Sequence, residues 1–220
     1  MNKRIFKVKD PGSALTHFIA MIMALLAAMP LLFKAANGLN SAHLGAFAVF
    51  IVSMICLYGA STVYHTFDIS EKVNKVLRKI DHAMIFVLIA GSYTPVCLMV
   101  LPKNIGIPLL VTVWAITIIG TIFKICWITC PHWLSSAMYI GMGWLCVIGF
   151  SSMMKNLSAS AFTWLLVGGL IYTAGGVIYA LKLPIFKKHN WKNFGNHELF
   201  HIFVMLGSLC HFILVYHYLA

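Results

Sequence analysis

The sequence reads as an all-α membrane protein of seven transmembrane helices, with a cytoplasmic amino terminus and an extracytoplasmic carboxy terminus. Three observations carry that prediction. The 220 residues are 61% hydrophobic and only 10% charged, where a soluble domain carries roughly 25% charged residues. The apolar residues gather into runs long enough to cross a bilayer. Lys and Arg collect in alternate breaks between those runs.

In order, residues 1–12 form a basic tail with Lys3, Arg4, Lys7 and Lys9, closed by Pro11-Gly12. Helix 1 is expected from Ser13 to Phe33. That run is too long for the h-region of a signal peptide, and no small-residue cleavage site follows it. Helix 2 runs from about His43 to Thr66. Residues 68–79 then read as a short amphipathic cytoplasmic connector: Asp68 and Glu71 resemble an N-cap pair, and Val73, Val76, Leu77 and Ile80 share one helical face. Helix 3 is expected from Ile80 to Leu101, where Pro102-Lys103-Asn104 breaks it. Helices 4, 5 and 6 follow at about Ile105–Phe123, Trp133–Met154 and Ala161–Leu181. The glycines of helices 5 and 6 read as places where helix backbones approach closely. Helix 7 begins near Asn196 and stays apolar from Leu199 to Leu219. The whole chain, 1–220, reads as one seven-helix domain.

Orientation rests on charge. Thirteen Lys and Arg fall at the amino terminus and in the 2–3, 4–5 and 6–7 breaks, with Lys124 counted in the 4–5 break, against three on the other side. The positive-inside rule makes the thirteen cytoplasmic. The net charge of +11 therefore reports membrane orientation and gives no sign of a nucleic-acid partner. The expected location is the inner (plasma) membrane, multi-pass. The six cysteines lie in or beside apolar runs and read as small buried hydrophobes.

Topology alone brings chemistry to one layer. Helix 2 ends inside near His65. Helix 3 begins inside at Asp81 and His82. Helix 7 begins inside with His197, and His201 lies one turn deeper, about 6 Å along the axis. His197 and His201, four residues apart, share a helix face. Ser61 stands one turn before His65, and Thr16-His17 lies near the inner end of helix 1.

Each residue also has a plain structural reading. A lone His at an interface is usually a hydrogen-bonded or snorkelling side chain, and that reading holds for His17, His43, His82, His132, His189 and His217. Asp81 alone would pair with Arg78 or Lys79 at a helix start, and Glu198 with Lys192. For His65, His197 and His201 together the balance tips the other way. An ionised group inside the bilayer costs about 2 kcal/mol or more, and one cation would compensate the whole set. Zinc is the expected ion, since three imidazoles plus a water is its catalytic arrangement. Asp81 suits the role of holding or deprotonating that water. A protease of the HExxH type fits poorly, because Glu198 points about 100° from the His face and the third ligand comes from a distant helix. Cys126-x3-Cys130-Pro131-His132 matches no common zinc spacing and reads as packing.

The motifs Ser61-Thr-Val-Tyr-His65, Asp81-His82 with Gly91-Ser-Tyr-Thr-Pro95, Gly175-Gly-Val-Ile-Tyr179, and Phe194-Gly-Asn-His-Glu-Leu-Phe-His201 running to Gly207-Ser208 and His211-Phe212 resemble the hemolysin III family. Its members are bacterial relatives of the progestin and adiponectin receptors. The resemblance covers nearly the whole chain. It implies seven helices and zinc held by His65, His197 and His201, with Asp81 on the metal's water and Ser61 supporting the site. It also implies kinship with intramembrane hydrolases of lipid amides resembling alkaline ceramidases, while the family name implies cytolysis and its bacterial members are linked to membrane homeostasis. The short amino terminus, unlike the soluble domain of the animal receptors, speaks against a ligand-receptor role. Three functions follow as expectations: a zinc hydrolase of a lipid amide or ester, a cytolytic pore, or a membrane-state sensor with structural zinc.

Overall fold

The computed structural model describes residues 8–37, 41–181 and 194–220. Among them, seven helices are long and apolar enough to cross a membrane. They are α1 Pro11–Ala36, α2 Ser41–Thr66, α3 Glu71–Met99, α4 Lys103–Cys126, α5 His132–Asn156, α6 Ala159–Leu181 and α7 Asn196–Leu219. The predicted helix count is thus borne out, and no strand occurs among the described residues. Most of the basic 6–7 break, with Lys182, Lys187, Lys188, His189 and Lys192, lies outside the described residues, as do residues 1–7 of the basic tail.

The helices form a closed ring. Each of α1 to α4 packs on the next, α5 packs on α6, α6 on α7, and α1 closes the circuit against α7. Apolar side chains of α1 and α2 pack with Leu88 of α3 and Val204 of α7 in one cluster. A second cluster joins Phe86 and Val96 of α3 to Val113 of α4, Met142 of α5 and Leu214 of α7. Helix α3 belongs to both, so it is fixed from two sides. Large apolar side chains such as Leu26, Met29, Ile119 and Ile148 remain exposed on the ring's outside, as expected where lipid is the solvent.

Three local expectations are corrected. Residues 71–79 are no separate connector: they are the opening turns of α3, which runs unbroken from Glu71. Ser70 rather than Asp68 caps it, its hydroxyl accepting from the Val73 N–H at 3.3 Å, while Asp68 takes the Asn74 amide at 2.6 Å. Lys124 is no loop charge either. It sits in the last turn of α4, 1% exposed, donating to the Cys130 thiol at 3.1 Å and to the Ser135 hydroxyl. The helix end supplies the compensation, since a carbonyl-rich terminus favours a cation. Finally, α5 is interrupted by a 3₁₀ segment, Leu145–Gly149. Tyr93 of α3 repairs the break: its hydroxyl reaches the carbonyls of Met142 (3.0 Å) and Gly143 (2.5 Å) and accepts from the Cys146 N–H (2.8 Å). Inside a membrane the freed backbone groups need such a partner.

The glycines divide. A Cβ on Gly168 would crowd His211, one on Gly175 would crowd Phe203, and one on Gly149 would crowd Leu101, so these do allow close approach. Gly141, Gly143 and Gly169 face open space, contrary to the expectation for helices 5 and 6. All six cysteines are free, with Cys97, Cys130 and Cys210 buried and Cys56 and Cys126 exposed. The cysteines as a set are therefore not uniformly buried.

Candidate metal centre

His65 lies in the last turn of α2. His197 and His201 lie in the first two turns of α7, on one face because they are four apart. The ring packing of α1 to α3 and α7 sets these two helix ends side by side. The three side chains each present one ring nitrogen, and those atoms all lie within 4.8 Å of one another. Ring centroids are 4.9 Å apart for His65 and His197, 5.2 Å for His65 and His201, and 4.5 Å for His197 and His201. His65 and His201 are buried, at 3% and 2% exposure.

Asp81 is also buried, and its Oδ2 lies 3.1 Å from His82 Nδ1. Among the described residues it therefore pairs with its own neighbour and with neither Arg78 nor Lys79. Burial explains the choice: both of those cations precede Asp81 at the more exposed start of α3. Ser61 is fully buried one turn before His65, and its hydroxyl has no hydrogen-bond partner among the described residues.

Four residues that motif and spacing did not single out as site residues stand around this set. Asp10 accepts from His65 Nδ1 through Oδ2 at 3.0 Å. Thr16 Oγ1 lies 3.2 Å from His201 Nδ1. His17 stacks flat on His201, with centroids 3.6 Å apart and an interplanar angle of 6°, and neither of its ring nitrogens has a side-chain partner among the described residues. His82 stands beside Asp81. Thr16 and His17 are legible as polar residues at the correct depth of helix 1. Asp10 gives no signal, because an acid before Pro11 carries no periodicity. Glu198 turns away from the His197–His201 face, as its spacing predicts. It accepts from the Ser13 hydroxyl at 2.5 Å and from the Gly195 N–H at 2.8 Å, and Gly195 precedes the helix as its cap.

The layer of imidazoles separates two spaces. On one side an apolar cavity of about 160 Å³ is lined by Asp81, His197 and His201 and, further in, by Tyr93, Leu165 and Val204. On the other an open cleft is lined by Asp10, Tyr64, His65, Arg78, Tyr179 and Glu198. The cavity walls are far more apolar than those of the cleft. His43 and His217 lie elsewhere, against Phe47 and Tyr216, and His132 bonds Tyr179 at 2.9 Å. Cys130 enters no metal cluster among the described residues.

Fold and site together define a multi-pass helical membrane protein with a polar, histidine-lined centre at one end of its bundle. The chain belongs to the Haemolysin-III related family, whose family profile matches residues 6–212. It is 35% identical over 215 residues to the Hemolysin-3 homolog of Bacillus subtilis (strain 168), covering 97% of this chain and 96% of the relative. It is likewise 35% identical over 214 residues to Hemolysin-3 of Bacillus cereus, covering 97% and 93%. A more distant likeness, 24% over 227 residues, reaches the Adiponectin receptor protein of Drosophila melanogaster, covering 96% of this chain and 51% of that protein.

Proposed function

We propose that the protein is a zinc-dependent intramembrane hydrolase of a lipid amide or ester, with its centre at the cytoplasmic leaflet of the inner membrane. The observation that carries this reading is three imidazole nitrogens within 4.8 Å of one another, set between an apolar cavity and a polar cleft. His65, His197 and His201 would hold the ion. Their donor set fits zinc: bonds of roughly 2.0–2.1 Å put tetrahedral ligands about 3.3 Å apart, and His65 Nε2 already lies 3.1 Å from His197 Nε2. The unpartnered buried hydroxyl of Ser61 is a further sign that this layer is built for more than packing. Bound zinc would supply Lewis acidity and a water whose pKa falls to roughly 7.

The chain's own residues do the rest. Asp81, turned into the cavity beside His82, accepts a proton. Ser61 supports the His65 end of the site. The apolar cavity takes an acyl chain and keeps bulk water from it. The cleft admits water and receives the polar head. A lipid has this two-part character, and its scissile carbonyl lies where the two parts join.

The test is release of free fatty acid from a ceramide-like amide and from ester lipids by purified protein, with a chelated control. Release that the chelator abolishes supports the reading. No release above the control across the panel overturns it. A second reading draws on the relatives named Hemolysin-3: a cytolytic or membrane-homeostasis protein in which zinc is structural. Leakage from dye-loaded vesicles that persists in Asp81→Asn would favour it.

A further inference from the structure

We infer that the lead-in to α1 and its first turns are the outer shell of the metal centre, with Asp10 and Thr16 as positioning residues for His65 and His201. Helix α1 supplies no ligand, yet two of the three ligand rings are held by it and its lead-in. The inference rests on the zinc reading above and adds which atoms orient the ligands.

Begin with Asp10. The stretch of chain before α1 docks on the end of α2 through two backbone hydrogen bonds: Lys9 N–H to the Thr66 carbonyl (3.2 Å) and Asp10 N–H to the His65 carbonyl (2.9 Å). These fix the register of Asp10 against His65. Its carboxylate then faces His65 Nδ1 at 3.0 Å. A carboxylate only accepts, so in the neutral imidazole Nδ1 carries the proton and Nε2 keeps its lone pair. That lone pair faces the His197 ring. The Asp10 side chain is 43% exposed in the cleft while His65 is nearly sealed, so the carboxylate keeps its hydration while orienting a buried ring.

Thr16 repeats the device on His201. Its hydroxyl proton is shared between the carbonyls of Gly12 and Ser13, both at 3.0 Å. The oxygen's lone pair is left for His201 Nδ1 at 3.2 Å. His201 therefore carries its proton on Nδ1 and turns Nε2 to the centre. His17, stacked on the same ring, blocks rotation of His201 out of plane. Ligand imidazoles in metal proteins are commonly oriented by such partners, whose loss costs about 10–100-fold in metal affinity.

The experiment measures metal affinity by chelator competition, and the visible spectrum of the cobalt-substituted protein, on full-length protein in detergent. Asp10→Ala and Thr16→Val should each weaken zinc binding about 10–100-fold and shift the cobalt bands. Asp10→Asn, which keeps an acceptor without the charge, and Thr16→Ser should recover much of the loss. Ser13→Ala is the matched control: it removes the α1–α7 bond to Glu198 while leaving every side chain that faces a ring nitrogen in place, so it should keep wild-type affinity and spectrum. Unchanged affinity and spectrum in Asp10→Ala and Thr16→Val would overturn the inference and leave the zinc reading standing. An equal loss in Ser13→Ala would also overturn it, since docking of α1 would then be the cause. A wild type that takes up neither zinc nor cobalt fails the zinc reading itself, and this inference with it.

Discussion

His65 Nε2 stands 3.1 Å from His197 Nε2, although the two residues are 132 positions apart and belong to different helices. With Nδ1 of His65 committed to Asp10, the neutral ring keeps a lone pair on Nε2. Two ring nitrogens so placed are held together either by a proton on one of them or by a cation between them. The relation makes the ion content of the protein the first quantity to measure.

Purified wild type is expected to hold close to one zinc per chain. His65→Ala, His197→Ala and His201→Ala should each lose most of it, whereas His43→Ala and His217→Ala, whose rings pack on Phe47 and Tyr216, should not. Lowering the pH should release the metal, because protons and the ion compete for the same imidazole lone pairs. Elemental analysis decides the matter, and equal zinc in all five variants would remove the centre.

Tyr93→Phe tests the break in α5. The hydroxyl that serves Met142, Gly143 and Cys146 would be gone, leaving backbone groups unpaired at membrane depth. A loss of roughly 1–3 kcal/mol in unfolding free energy is expected, read from denaturation in detergent or bicelles. Stability unchanged from wild type would mean that α5 can rewind without its partner.

Gly106→Ala and Gly141→Ala form a contrasting pair. A Cβ at Gly106 would collide with the Cys97 carbonyl, which belongs to the α3 backbone and cannot turn aside; one at Gly141 meets nothing within 4 Å. The first should cost about 1–3 kcal/mol of stability. The second should be neutral or stabilising by about 0.5–1 kcal/mol, through helix propensity. Equal melting of the two variants would contradict the α3–α4 packing.

Lipid selects span-length apolar runs, so all seven helices are legible in the sequence, and alternation of span direction puts His65, Asp81, His197 and His201 at one depth. What stays hidden depends on contacts that pattern cannot encode. Asp10 reaches His65 because the short segment before α1 bonds to the end of α2, and nothing in the order Asp-Pro-Gly signals that. His17 has the correct depth, but only the closing of α1 on α7 stacks it on His201. Gly141 and Gly143 read as packing glycines, yet they lie beside the α5 break that Tyr93 repairs. Lys124 counts as a loop charge by its place after an apolar run, yet it is buried because α4 continues one turn beyond that run.

Orientation is checked by reporters. A fusion after Ala220 should register outside the cytoplasm and one inserted at Lys187 inside it, as the Lys and Arg asymmetry requires. Both on one side would contradict seven crossings. Both inverted would move the centre to the opposite leaflet.

Asp81→Asn tests the chemistry. Asparagine keeps the size of the side chain and an oxygen that can face His82 Nδ1, now 3.1 Å from the carboxylate, so fold and metal content should persist. It cannot take up a proton. General-base catalysis contributes about 10²–10⁴-fold, and release of fatty acid from a lipid amide should fall by that factor while the cobalt spectrum and zinc content stay near wild type. His82→Ala should give a smaller loss, because it removes the charge partner beside Asp81 without removing the base. Zinc lost together with activity in Asp81→Asn would make the carboxylate part of the metal's grip. Full activity in Asp81→Asn would leave the base to be sought elsewhere among the groups lining the cavity, with His17 the first to test.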